Sequence, residues 1–222
     1  MKAGLLKFDA PVCLVGGGAL TRTMLDEAMA FAPALIAADG AADRLVEWGL
    51  MPEAVIGDMD SIRDAESWEK DGCHFVHLPE QDSTDFGKCL YATEAPLYLA
   101  AGFTGRRIDH TLAAFSAMLA TPMKTVVLIG EEEVVLLVPP QKIMSFTMVE
   151  GAVVSFFPLS PVKGTHSTGL RWSIDGLAME TGHQIGTSNE ASATRVEFAF
   201  DRPGALLMLE RRYLSAVIET LI

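Results

Sequence analysis

The chain is poor in cysteine, in basic charge and in long hydrophobic runs, and each shortage closes off a class of protein. Three cysteines occur in 222 residues, Cys13, Cys73 and Cys89, with no CxxC spacing. So sparse and odd a set is expected to be reduced and buried, not bridged or bound to metal. Lys and Arg together number 17 against 29 Asp and Glu, a formal net charge of −12. General nucleic-acid binding needs a basic face, so no nucleic acid is expected as a partner. No uninterrupted apolar run approaches the ~20 residues of a membrane span. The N-terminal MKAGLLKFDAPV also lacks a sustained apolar stretch, so no membrane partner is expected and the chain is read as cytoplasmic. Internal repeats and low-complexity linkers are missing as well.

What is present is a globular composition, 50% hydrophobic and 21% charged. The length suits one large domain or two modest ones. Through the first half, short apolar runs alternate with helical patterns: Pro11 to Val15, Ala34 to Ala38, Ala54 to Ile56, His74 to Leu78, Pro96 to Ala101 and Val126 to Ile129. Helices are expected from Leu20 to Phe31 and over Ala41 to Trp48, Asp85 to Thr93 and Thr111 to Leu119. This alternation implies βα units and a parallel sheet, an α/β nucleotide-binding domain of Rossmann-like type over residues 1–138. After Pro139-Pro140 the helical period stops. Val153 to Phe157, Leu170 to Ile174, Thr194 to Phe200 and Leu206 to Leu209 read as strands. Ser160 to Gly169, Asp175-Gly176 and Ser188 to Ser192 read as turns. Residues 139–222 are therefore expected to form a small antiparallel β-sandwich or barrel.

The polar motifs follow the strand ends of the first half, where an open α/β sheet places its ligands. Two are acidic: Gly57-Asp58-Met59-Asp60-Ser61 and, roughly 20 residues on, Gln81-Asp82-Ser83-Thr84-Asp85. Four Asp residues crowded at such junctions repel one another. A hard cation relieves this, and Mg²⁺ prefers carboxylate oxygens shared with a phosphate-bearing substrate. Asp58 and Asp60 flank a turn and can face one cation; the alternative is a cap and a solvated Asp. Asp82 or Ser83 is a plausible N-cap for the following helix. Asp85 shares a helical face with Asp82. Lys88, one turn on, either meets the ligand or forms a surface ion pair with Asp85. Gln81 and Thr84 add hydrogen-bonding groups that mere capping does not need.

Three further motifs remain open between function and structure. Gly16-Gly17-Gly18 either brings backbone N–H groups, Gly17's among them, to a phosphate or is an ordinary βα turn. With Thr21 where a third Gly belongs and Asp39 about 20 residues on, it nearly matches a dinucleotide fingerprint. Asp39 either meets a ribose hydroxyl or caps the next helix. In Arg106-Arg107-Ile108-Asp109-His110, Arg107 can stabilise charge on a transferring group. Asp109 orients an Arg or caps the helix from Thr111, and His110 is a base or a packed helix-start residue. Trp172 alone reads as core, and Ser188-Asn189 as a turn.

Taken in order, Asp39-Gly40-Ala41-Ala42, Gly57 to Ser61, Gln81 to Phe86, Arg107 to Leu112, Gly169 to Trp172 and Thr187-Ser188-Asn189 resemble the thiamine pyrophosphokinase family, from about residue 12 to about 210. Ala41 and Asp43 depart from the usual Asp-Gly-Gly-Ala-Asn, and Arg106 replaces a Gly. The resemblance implies transfer of pyrophosphate from ATP to thiamine, releasing AMP. It also implies a homodimer with the thiamine sites between subunits. Asp58, Asp60 and Asp85 would hold Mg²⁺ against the ATP phosphates, and Gln81 and Asp82 would shape the site. Arg107 and Asp109 would serve the nucleotide; Trp172, Ser188 and Asn189 would receive thiamine. A pyrophosphokinase for another small alcohol such as a pterin, a nicotinamide-dependent oxidoreductase and a non-catalytic binding protein stand as alternatives.

Overall fold

The computed structural model describes residues 5–59, 68–69, 72–80 and 82–222. Asp60, Ser61 and Gln81 lie outside them. The chain divides into two compact units, Met1–Ala117 with Leu128–Glu131, and Met118–Val127 with Glu132–Ile222.

In the first unit the elements run β1 (Leu6–Lys7), β2 (Val12–Val15), α1 (Arg22–Met29), β3 (Ala34–Ala38), α2 (Ala41–Glu47), β4 (Ala54–Gly57), β5 (His74–His77), α3 (Asp85–Ala92), β6 (Thr93–Glu94) and β7 (Tyr98–Ala101). α4 (Ile108–Ala120) and β8 (Val126–Ile129) follow, each with residues in both units. The strands β7, β2, β3, β4 and β5 pair in that order, every pair parallel. β2, β4 and β7 are buried at every position, as a sheet covered on both faces requires. α1 begins where the Thr21 hydroxyl accepts from the Met24 N–H, and it buries Met24, Leu25 and Ala28. α2 stops at Gly49, whose φ of 73° suits a residue without Cβ. Cys13, Cys73 and Cys89 are all free and buried. Burial pushes the Cys13 thiol up to about 12 and Cys73 up to about 11, which leaves both inert near neutrality.

The second unit is built from antiparallel pairs. Its strands are β9 (Glu133–Leu137), β10 (Met144–Thr147), β11 (Val153–Pro158), β12 (Val162–Thr168), β13 (Ala178–Met179), β14 (Gly186–Glu190), β15 (Arg195–Phe200) and β16 (Ala205–Glu210), followed by α5 (Leu214–Leu221). One set orders as β14-β11-β16-β9 and the other as β10-β15-β12-β13. Buried and less buried residues alternate along β11 and, at its start, along β15. Phe156 of β11 meets Phe198 and Phe200 of β15 edge-on, with ring centroids 4.8 and 5.4 Å apart, so the two sets share one aromatic core.

Three secondary-structure expectations fail in this unit. Leu170 to Ile174 is not a strand: it is a loop, apart from an isolated bridge at Leu170. The strand lies earlier, as β12, inside the stretch expected to be turns. Its polar residues His166, Ser167 and Thr168 are carried by pairing with β15, and Thr165 falls at a register shift between Gly164 and His166. Ser188 and Asn189 belong to β14, paired with β11 across a register shift between Val154 and Phe156. The turn-forming residues there serve a bulge: Ser188 has φ 59°, and its N–H donates to the Ser155 hydroxyl at 3.0 Å.

Candidate active site

Five parallel strands of the first unit end at one rim, and the loops after them line a cavity of about 680 Å³. Gly17 and Gly18 follow β2, Asp39 and Gly40 follow β3, and Asp58 follows β4. Ser83, Thr84, Asp85 and Lys88 come after β5, while Phe103, Arg106, Arg107 and His110 come after β7.

The glycine turn has a structural reason at two of its three positions. A Cβ on Gly16 or Gly18 would sit 2.5 or 2.6 Å from the Gly102 carbonyl oxygen, so these glycines let two strand-end loops touch. Gly17 is different, because a Cβ there meets nothing within 4 Å while the residue faces the cavity. Thr21 caps α1 and is not a third phosphate glycine.

Asp39 does not cap α2. The N-cap is Gly40, without a side-chain bond, and Asp39 Oδ1 is buried with no hydrogen-bond partner among the described residues. The residue also holds φ 43°. An orphaned carboxylate oxygen facing a cavity, on strained backbone, suits a site made to receive a hydroxyl or a cation. Met59 (φ 66°) and Arg106 (φ 53°) occupy the same left-handed region in two other rim loops.

The second acidic cluster folds differently from its expected capping pattern. Thr84, not Asp82 or Ser83, caps α3, its hydroxyl accepting from the Gly87 N–H at 3.2 Å. Asp82 is exposed and does not line the cavity. Asp85 does. Burial chiefly, then the neighbouring Asp39 carboxylate, raise its pKa; Lys88 lowers it, Asp58 raises it and His110 lowers it. The Asp85 side chain is still 49% exposed, so the carboxylate is partly enclosed and open to a ligand from the cavity. Lys88 is not in a surface ion pair: it is 2% exposed, its Nζ 3.8 Å from both Asp85 Oδ1 and Glu80 Oε2.

Arg107 and Asp109 form an exposed pair, 2.5 Å from NH2 to Oδ2. The helix starts at Ile108, so Asp109 stands in its first turn and does not precede a helix beginning at Thr111. Its hydrogen bond from Arg107 holds the Asp109 carboxyl below its usual range. Phe103, 4.5 Å from Phe86 between ring centroids, lines the wall and had no sequence signal of its own.

The described residues contain no ready-made cluster of three His, Cys, Asp or Glu able to hold a metal. Mg²⁺ does not require one, since it takes one or two carboxylates and completes its shell with phosphate and water. The orphaned Asp39 oxygen and the raised Asp85 fit such a cation.

In the second unit, Trp172 is 52% exposed and not core. Its loop is pinned by Asn189, which is 4% exposed. Asn189 Oδ1 accepts from the Trp172 N–H at 3.1 Å, and Nδ2 donates to the Trp172 carbonyl at 2.7 Å. The Arg171 guanidinium lies 4.8 Å from the indole centroid.

A ligand cavity across the carboxyl ends of parallel strands defines an α/β protein of the open-sheet binding class. Sequence comparison narrows the class to a family. The thiamin pyrophosphokinase catalytic-domain profile matches residues 25–129, and the profile of that family's vitamin B1 binding domain matches residues 140–204. The chain belongs to the thiamin pyrophosphokinase family. It is 31% identical over 166 residues to thiamine pyrophosphokinase 1 of Oryza sativa subsp. japonica, covering 68% of this chain and 63% of the relative. It is 27% identical to thiamin pyrophosphokinase 1 of Caenorhabditis elegans, over 72% of each. The chain spans less than two thirds of the rice relatives' length, at 63%, 58% and 62%. The fold is shared with the thiamin pyrophosphokinase from Candida albicans, with a TM-score of 0.77 and 17% identity over 93% of this chain and 92% of that one.

Proposed function

We propose that this protein transfers pyrophosphate from ATP to the hydroxyethyl group of thiamine, releasing AMP. The observation that carries the reading is the tandem match to both domains of one family in a single chain. The cavity supports it with Asp39, Asp58 and Asp85 beside Lys88, Arg106 and Arg107. That mixture suits a metal–phosphate ligand better than a nicotinamide, because a cofactor bound without metal leaves the carboxylates unneutralised.

In this reading residues 1–138 form a Rossmann-like ATP-binding domain, and residues 139–222 a β-sandwich that binds thiamine. Asp58, Asp60 and Asp85 hold Mg²⁺, which when bound neutralises phosphate charge. Arg107, oriented by Asp109, binds phosphate oxygens, while Asp39 faces the nucleotide. Gln81 shapes the site, whereas Asp82, exposed and off the cavity, is left without a part in it. The thiamine oxygen attacks the β-phosphorus, the bond from that phosphorus to the AMP oxygen breaks, and the hydroxyl proton is released. Positioning and charge neutralisation do most of the work. The Trp172 indole takes the flat cationic ring, with Ser188 and Asn189 beside it. The protein acts as a homodimer with thiamine bound between subunits.

Incubation with thiamine, ATP and Mg²⁺ should yield AMP and thiamine pyrophosphate in equal amounts. ADP as the nucleotide product, or turnover of a pterin in place of thiamine, would sink the reading. Sedimentation equilibrium checks the dimer.

A further inference from the structure

Glu80 stands outside every role assigned so far, yet it touches two residues of the cavity wall. Ser83 and Lys88 line the cavity; Glu80 does not. The Ser83 hydroxyl donates to Glu80 Oε1 at 2.7 Å. Glu80 Oε2 is buried with no hydrogen-bond partner among the described residues and faces Lys88 Nζ at 3.8 Å. The ammonium therefore stands at equal distance, 3.8 Å, from two carboxylates, those of Glu80 and Asp85. Neither distance is a hydrogen bond. Among the described residues Nζ has no closer ion-pair partner, so its donors remain available to a ligand.

We propose that Glu80 is a positioning residue that keeps Lys88 from collapsing onto Asp85. Without the Glu80 charge, the only carboxylate among the described residues still paired with Lys88 is Asp85, and a closed Lys88–Asp85 pair withdraws both groups from the ligand. With Glu80 in place, Asp85 stays free for a cation and Lys88 for a phosphate oxygen. Ser83 fixes the Glu80 carboxylate so that its second oxygen points at the ammonium. This deepens the proposed pyrophosphoryl transfer and rests on it.

The test is Glu80→Gln, which keeps shape and removes charge, with Ser83→Ala as a second, milder variant. Glu80→Gln should raise the KM for Mg-ATP and the Mg²⁺ concentration for half-maximal rate by roughly tenfold, the scale of outer-shell substitutions at charged sites. The KM for thiamine and the melting temperature should stay unchanged, and Ser83→Ala should move Mg-ATP in the same direction by less. An unchanged Mg-ATP KM, or equal losses for both substrates, overturns the proposal. Calorimetric binding of Mg-ATP, which needs no turnover, separates the two readings. A wild-type protein that binds Mg-ATP without making thiamine pyrophosphate defeats the proposed function, and weaker binding by Glu80→Gln still sustains the role of Glu80. Equal binding by both proteins, or none by either, defeats the role of Glu80.

Discussion

Asp39 packs directly over Gly57: a Cβ built on the glycine would lie 2.8 Å from the Asp39 Cβ and 3.2 Å from its Oδ1. The last residue of β4 is thus a glycine because the first residue after β3 occupies its side-chain space. Gly57→Ala should push Asp39 aside, costing about 1–3 kcal/mol through overpacking. ATP binding should weaken more than the thermal loss explains. Calorimetry of Mg-ATP binding beside a thermal melt checks this, and tight binding by a destabilised variant would clear Asp39 of a ligand role.

Asp85→Asn should separate stability from activity. Because the native Asp85 holds its proton more tightly than an unfolded aspartate, its ionisation opposes folding. The penalty is missing below the ordinary aspartate value of about 3.9 and grows as pH rises through the higher native value. Asparagine removes it, so the ligand-free variant should melt about 1–3 °C above wild type at pH 7, the gap closing toward pH 4. Turnover should be largely lost. A variant that melts lower at pH 7 would mean that attraction to Lys88 outweighs burial and the neighbouring carboxylates at Asp85.

Asp109→Asn releases the Arg107 guanidinium from its exposed partner. An exposed ion pair contributes little to folding, so the melt should not move. The KM for ATP should rise by at most about fivefold, the scale of such a pair. Steady-state kinetics at two salt concentrations decides; no change at low salt would mean that Arg107 needs no orientation.

Trp172 and Asn189 should respond in opposite ways. Trp172→Ala removes a half-exposed ring, so the KM for thiamine should rise by about tenfold with little change in melting. Asn189→Ala strips the Trp172 loop of its buried side-chain bonds and should cost about 1–3 kcal/mol. A strong melt effect of Trp172→Ala would return the indole to the core.

The parallel half of the fold was legible because its signals are local. Ala54 to Ile56 or Tyr98 to Ala101 can satisfy a run of apolar residues only as buried strands, and polar loops must follow them. The second half was less so. Leu170 to Ile174 has a strand's composition, yet Gly169 (φ 70°) and the Asn189 side chain turn it into a loop, while β12 takes polar residues into a ladder. Side-chain exposure misled in both directions: Lys88 is buried and Trp172 is exposed.

The sequence by itself determined the alternation of strands and helices, the position of polar motifs at strand ends, and the family resemblance, since each is written in spacing along the chain. Tertiary structure alone decided which residues meet: that Asp39 Oδ1 is enclosed with no hydrogen-bond partner among the described residues, and that Lys88 is buried at equal distance from two acids. Enclosure by several strand-end loops decides both, and enclosure has no one-dimensional signature; the choice of Thr84 as the α3 cap is a local competition among adjacent residues that can all cap.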